Sequence, residues 1–185
     1  MVLEFLADGF EEIEALTPID TLRRAGVDVK SVAVGKDGDK VVMGAHGIGV
    51  FADLTEDEAT LIDKREIDMI ILPGGMPGAK NLDESAFVDG FVHRAAEDGR
   101  YIASICAAPM IPGRRGLLSG RRAVCYPGFE EFLLGANVTC EKVETDGKYV
   151  TACGMGAARE FSLELIKLLK GEEAAEHIRS AVLAK

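Results

Sequence analysis

Cys106 stands where this chain has its greatest chemical promise. Tyr101-Ile102-Ala103-Ser104-Ile105 reads as a short buried strand ending on Cys106, and Ala107-Ala108-Pro109-Met110 reads as the start of a helix. A thiol at such a junction meets helical N–H groups that lack intrahelical partners, and their partial positive charge favours thiolate over thiol. The plain alternative is a small apolar residue finishing a core strand, since free cysteine is commonly buried. Gly74-Gly75 follows a continuous apolar run, Ile67 to Leu72, and lets backbone N–H groups approach a ligand with no Cβ in the way. Together with the Ala107 N–H these amides would make a donor cup for a developing oxyanion, although two glycines suit a tight turn equally well. Gly154-Met155-Gly156 is a weaker signal, because it lacks the third glycine of a dinucleotide site and no Walker-type lysine follows. In Glu11-Glu12-Ile13-Glu14, at a helix N-terminus, the helix dipole and a solvated face account for Glu11 and Glu12. A glutamate buried beside a thiol would instead have a raised pKa and exchange a proton with sulfur. Spacing alone does not choose which of the three glutamates does so.

The elements that must position these residues alternate between strand and helix, the pattern of an α/β domain with a largely parallel sheet. Val2 to Ala7 reads as a strand, Glu11 to Ala25 as a helix stopped by Gly26, and Val27 to Val34 as a second strand. Val41 to Met43 and Ile48 to Phe51 suggest a hairpin, Pro73 to Gly78 breaks the apolar run that precedes it, and Ser85 to Asp98 reads as the next helix, capped by Ser85. Arg122 to Cys125, Val138 to Glu144 and Lys148 to Ala152 complete the strands, the last two joined across Asp146-Gly147. Helices over Ala157 to Leu169 and Glu172 to Leu183 close the chain. Gly74-Gly75, Cys106 and Gly154-Met155-Gly156 all follow strands, and open parallel sheets bind ligands outside the carboxyl ends of their strands.

At 185 residues the chain is long enough for one substantial core, and residues 1–185 read as a single domain. A net charge of −10 with scattered Lys and Arg argues against nucleic-acid and membrane partners. No apolar run has the length of a membrane span, and Met1-Val2-Leu3-Glu4-Phe5-Leu6 lacks a basic leader, so a cytoplasmic location is expected. The four cysteines show no C-x-x-C spacing and the three histidines no ligand-pair spacing, so neither disulfides nor a metal site is expected.

Four segments, Ala7-Asp8-Gly9-Phe10-Glu11-Glu12-Ile13-Glu14-Ala15, Leu72-Pro73-Gly74-Gly75, Ser104-Ile105-Cys106-Ala107-Ala108-Pro109 and Gly154-Met155-Gly156-Ala157-Ala158, together resemble the ThiJ/PfpI superfamily. Their order and spacing are most similar to the DJ-one-like branch, that of the Parkinson-disease protein deglycase and its bacterial relatives. The resemblance implies a flavodoxin-like sandwich with a mostly parallel central sheet, helices on both faces and no cofactor. It also implies a homodimer and a nucleophile-elbow Cys106 in strained backbone. It selects Glu14 as the carboxylic acid on Cys106 and Gly75 and Ala107 as backbone donors. Gly74, Met76, Tyr126, Gly154 and Met155 would line the pocket. The implied activities are glyoxalase or deglycase chemistry on small reactive carbonyls or glycated protein side chains, or a redox sensor or chaperone whose Cys106 oxidises to sulfinate.

Protease and amidotransferase chemistry are disfavoured. Ala107 stands where the protease branch has a histidine, and the only histidine after Cys106 is His177. Tyr126 occupies the place of a pocket histidine, and Cys153 that of an arginine before the Gly-x-Gly turn. His46 is expected as an exposed loop residue, with a substitute role across a dimer interface as the alternative. Cys153 and Cys125, near strand ends, are candidate redox partners of Cys106.

Overall fold

The structure, a computed structural model, describes residues 1–183. In chain order the elements are β1 (Val2–Ala7), α1 (Glu12–Arg24), β2 (Val29–Val34), β3 (Val41–Met43), β4 (Gly49–Phe51), β5 (Leu54–Thr55) and α2 (Glu56–Thr60). There follow β6 (Met69–Leu72), α3 (Gly78–Glu84), α4 (Ala86–Glu97), β7 (Tyr101–Ile105) and α5 (Met110–Arg114). The chain continues with β8 (Arg122–Ala123), β9 (Asn137–Val138), β10 (Val143–Asp146), β11 (Tyr149–Ala152), α6 (Ala158–Lys170) and α7 (Glu172–Ala181). Seven strands form the central sheet in the order β10-β11-β7-β6-β1-β2-β5, every pair parallel except β10 with β11.

The alternation of side chains along each strand explains the layers. Leu3, Phe5, Ile70, Leu72 and Ile102 pack beneath Leu82 of α3, Phe91 of α4 and Ile111 of α5. Val2, Met69, Ile71, Ala103 and Val150 pack on the other face beneath Leu22 of α1, Phe161 of α6 and Ile178 of α7. Both faces are covered, which is why β6 reads as an uninterrupted apolar run. This is an α/β flavodoxin-like sandwich. The connections leave β1 and β6 in opposite directions, and such a switch point opens a crevice at the carboxyl ends of its strands.

Three local expectations are corrected. Val138 to Glu144 is not one strand: Asn137–Val138 pairs with β8 outside the central sheet, while Val143–Asp146 forms a hairpin with β11. The Asp146-Gly147 turn fixes the register of β10, and the Thr139 N–H bonds instead to the Ala123 carbonyl. Pro73 to Gly78 is not merely a break, because Pro77 caps α3 at a position where a missing N–H costs nothing. The helix after Cys106 begins only at Met110, Ala107 to Pro109 being a hydrogen-bonded turn. The thiol is therefore met by individual turn amides and not by the end of a long helix.

Candidate active site

Backbone geometry makes Cys106 exceptional. Its φ is +65°, in the left-handed region that a residue with a Cβ adopts only at a cost. The conformation is fixed from both sides: the Cys106 N–H donates to the Ala152 carbonyl at 2.9 Å, and the Cys106 carbonyl accepts from the Tyr126 N–H at 2.8 Å. β7 is thus prolonged by one bond to β11 and then turned sharply, lifting the half-buried sulfur above the sheet edge.

Glu14 reaches the same point from the first turns of α1. That helix is started by Glu11, whose carboxylate accepts from the Glu14 N–H at 2.7 Å and whose own N–H donates to the Gly74 carbonyl at 3.0 Å. Glu14 is buried, and its Oε2 accepts from the Gly74 N–H at 3.1 Å. Gly74 has to be glycine, because a Cβ there would fall on the Glu14 carboxylate and stand 2.6 Å from the Cβ of Cys106. Gly75 has φ +87°, and a Cβ on it would strike the backbone of Gly9, Phe10 and Glu11.

The electrostatics couple the two side chains. Burial drives Glu14 up to about 7; hydrogen bonds from Cys106 and from the Gly74 and Met155 amides work against that rise, and the charge of Glu11 adds to it. Burial also raises Cys106. An ionised Glu14 pushes it further, to about 12, through its charge and its hydrogen bond, while the amides of Ala107 and Gly75 pull the other way. When Glu14 keeps its proton, both of its contributions to the thiol disappear and its O–H donates towards sulfur. The pair therefore holds one labile proton between a thiolate with a carboxylic acid and a thiol with a carboxylate.

Around this pair the structure gathers Gly74, Gly75, Ala107, Gly154 and Met155, from the ends of β6, β7 and β11. The Tyr126 ring lies against Gly154, and Met76, Tyr126 and Met155 stand exposed. Cys153 is half-buried in the same apolar cluster as Cys106. Cys125 is buried in a separate cluster with Leu118, Ala123 and Leu133. Burial, then the charge of Glu130, pushes the Cys125 thiol up to about 11 against a hydrogen bond from Phe129. Two clefts of about 340 and 360 Å³ lie elsewhere on the chain and are not lined by Cys106.

Glu12 departs from the expectation of a solvated residue. It is buried and accepts from the His46 N–H and pairs with His46 Nδ1, both at 2.7 Å. Burial opposes its charge, yet these bonds outweigh it and lower its pKa. The exposed His46 ring is raised in turn by its hydrogen bond to Glu12. Glu11, Glu12 and His46 place one potential ligand atom each within 4.8 Å of one another, but Glu12 and His46 already satisfy each other. Neither this link nor the Met155 amide on Glu14 was signalled in the sequence: the first joins distant segments, and the second is a backbone group that no residue type marks.

A strained cysteine at the end of a parallel strand, a protonatable glutamate against it and a cup of backbone amides mark the chain as an α/β sandwich with a strand-end cysteine site. Residues 1–168 match the DJ-1/PfpI family, and the chain belongs to it. It is 31% identical over 183 residues to protein dj-1beta of Drosophila melanogaster, covering 98% of this chain and 95% of that protein. It is 35% identical over 172 residues to a deglycase of Pyrococcus abyssi, covering 91% and 99%. Against DJ-1 homolog B of Arabidopsis thaliana the identity is 38% over the whole chain, which spans 41% of that relative's length. The fold matches oxidized DJ-1 of Toxoplasma gondii with a TM-score of 0.90 and 36% identity, over 98% of this chain and 97% of that one. Among the described residues no helix is long and apolar enough to cross a membrane.

Proposed function

We propose that this DJ-1-like protein converts small α-oxoaldehydes to 2-hydroxy acids at Cys106, and that the same chemistry reaches carbonyl adducts on protein side chains. The observation that carries this reading is the buried Glu14, with a pKa of about 7, set against a strained thiol. The thiolate adds to the aldehyde carbon while Glu14 gives its proton to the oxygen, forming a hemithioacetal. Glu14, now a carboxylate, removes the proton on that carbon and returns it to the adjacent carbonyl carbon through an enediol, while the hydroxyl proton of the hemithioacetal passes to the neighbouring carbonyl oxygen. The product is a thioester of the 2-hydroxy acid, and water hydrolyses it to free the thiol. The amides of Gly75 and Ala107 face the oxyanion that forms on addition and on hydrolysis. All of these groups belong to the chain itself. The name of the Pyrococcus relative, a deglycase, supports this direction. The test is methylglyoxal consumption by the wild type and by Cys106→Ser; equal rates would end the proposal.

A second reading, oxidative sensing, is favoured by the acid form of Glu14, whose O–H would stabilise an anionic sulfinate, and by the oxidized state of the Toxoplasma relative. Two equivalents of peroxide would each deliver one oxygen to Cys106 and leave as water. Interception by Cys153 at the sulfenate stage would instead give a disulfide, and intact mass separates two added oxygens from two lost hydrogens. A homodimer is proposed on the exposed Val41, Met43, Ile48 and Phe51 of the β3–β4 hairpin, and sedimentation at micromolar concentration tests it.

A further inference from the structure

The two amides that reach the Cys106 sulfur, those of Gly75 and Ala107, each lead directly into a helix. The Gly75 carbonyl accepts from the Ala79 N–H at 2.8 Å in the first turn of α3, and the Ala107 carbonyl accepts from the Met110 N–H at 3.1 Å at the start of α5. A displacement of either helix therefore carries its amide with it. Of the two, α5 has little strength of its own. It has five residues, Pro112 and Gly113 among them, and a helix of that length and composition is unstable alone in water. Gly113 is not open to a better helix former, because a Cβ there would stand 2.5 Å from the Phe132 carbonyl oxygen.

Arg115 closes that helix and ties it to its neighbours. The side chain is only 12% exposed. Its Nη1 donates to the Ile111 carbonyl of α5 at 2.8 Å and to Oδ1 of Asp83, in the last turn of α3, at 2.7 Å. Its Nη2 donates to the Asp83 carbonyl at 3.1 Å, and its Nε to Oδ1 of Asp89, in the first turn of α4, at 2.7 Å. Asp83 is 8% exposed, and its second oxygen accepts from Arg114. A planar guanidinium fork makes these bonds together, which the point charge of a lysine does not. Taking such charges out of water costs about as much as their pairing returns, so the network is a weak source of stability. What it does hold is one arrangement of α5 against α3.

We infer that Arg115 is a positioning residue of the Cys106 site: by fixing α5 against α3 it sets the spacing of the Ala107 and Gly75 amides around the sulfur. Its kinetic readout rests on the carbonyl-addition reading above, and its thiol readout does not. The Asp83→Asn/Arg115→Gln variant removes both buried charges at once and leaves neither uncompensated, while Arg115→Lys keeps the charge without the fork and carries the test if the double variant fails to fold. In a folded variant kcat for methylglyoxal should fall about tenfold, with KM within about twofold of the wild type. Alkylation by iodoacetamide, followed at the Cys106 peptide, should shift its pH profile upward and slow severalfold at pH 7, because the thiolate loses well-placed donors. A clamp that served stability alone would lower the urea midpoint and leave the native thiol as reactive as before. An alkylation profile or a kcat that matches the wild type in a folded variant overturns the inference, as does a loss confined to KM. If the wild type consumes no methylglyoxal, the catalytic reading has failed and the alkylation profile alone decides.

Discussion

Glu4 and Glu14 are both removed from water, and the fold treats them in opposite ways. Glu14 lies at the carboxyl edge of the sheet, where the Gly74 and Met155 amides and the Cys106 sulfur answer its oxygens. Glu4 lies in the middle of β1, level with Ser31 of β2 and Ile71 of β6, and neither of its oxygens has a hydrogen-bond partner. The nearest relief is the charge of Arg23, but that guanidinium is bound to Asp53 at 2.6 Å and to the Val29 carbonyl at 3.1 Å. Burial therefore drives Glu4 well above the usual carboxylate range, with Arg23 opposing weakly. Burial alone makes a carboxyl inert. Partners that stabilise the anion bring a buried acid back to a pKa from which it can give and take a proton near neutrality.

The largest expected effect separates the two in catalysis. Cys106→Ser should lower dicarbonyl turnover about a thousandfold or more. Glu14→Gln, which keeps the shape and removes the exchangeable proton, should lower it by about 100-fold or more. Glu4→Gln should leave kcat and KM unchanged. Comparable losses from the two glutamine variants would mean that Glu14 acts through the fold and not on the substrate.

Stability reverses the ranking. Replacing Glu4 by the similarly sized Val removes an orphaned buried carboxyl from a central strand and should stabilise the protein by about 2 kcal/mol. That corresponds to roughly 5 °C in Tm for a chain of this size. Because the folded-state pKa of Glu4 is raised, wild-type stability is undiminished by this group below its unfolded value and falls as the pH climbs towards the folded value. The gain from Glu4→Val should accordingly be greater at pH 8 than at pH 4. A destabilised Glu4→Val variant would show that the carboxyl has a partner that stabilises it.

The two glutamates also mark how far the sequence could be read. The order of strands and helices, the parallel sheet and the convergence of glycine turns on Cys106 were legible because hydrophobic period and glycine placement are local signals. Glu4 carries no such signal: within Val2 to Ala7 a single glutamate in an apolar strand gives no sign of which neighbours will face it across two other strands. The choice of Glu14 over Glu11 and Glu12 came from family resemblance, since helical spacing does not reveal which residue meets a thiol that is distant in sequence. The Glu12–His46 pair was hidden for the same reason, as it joins α1 to the β3–β4 hairpin.

The smallest effect is the most discriminating, because it concerns the stability of Glu14 and not its activity. With a folded-state pKa of about 7, above its unfolded value, Glu14 imposes no penalty below about pH 4.5. The penalty develops as the pH rises from about 4.5 to about 7, and it is constant above that. Glu14→Gln is neutral throughout, so its denaturation midpoint should match the wild type at pH 4.5 and exceed it at pH 8 by a margin on the order of 1–2 kcal/mol, less than the raw shift implies because the Gln amide answers the Gly74 and Met155 N–H groups less well than a carboxylate. Urea titrations of both proteins across this range measure it. A constant offset between them at every pH would show that the pKa of Glu14 is the same in the folded and unfolded states. The labile proton shared with Cys106 would then have to be sought on the thiol alone.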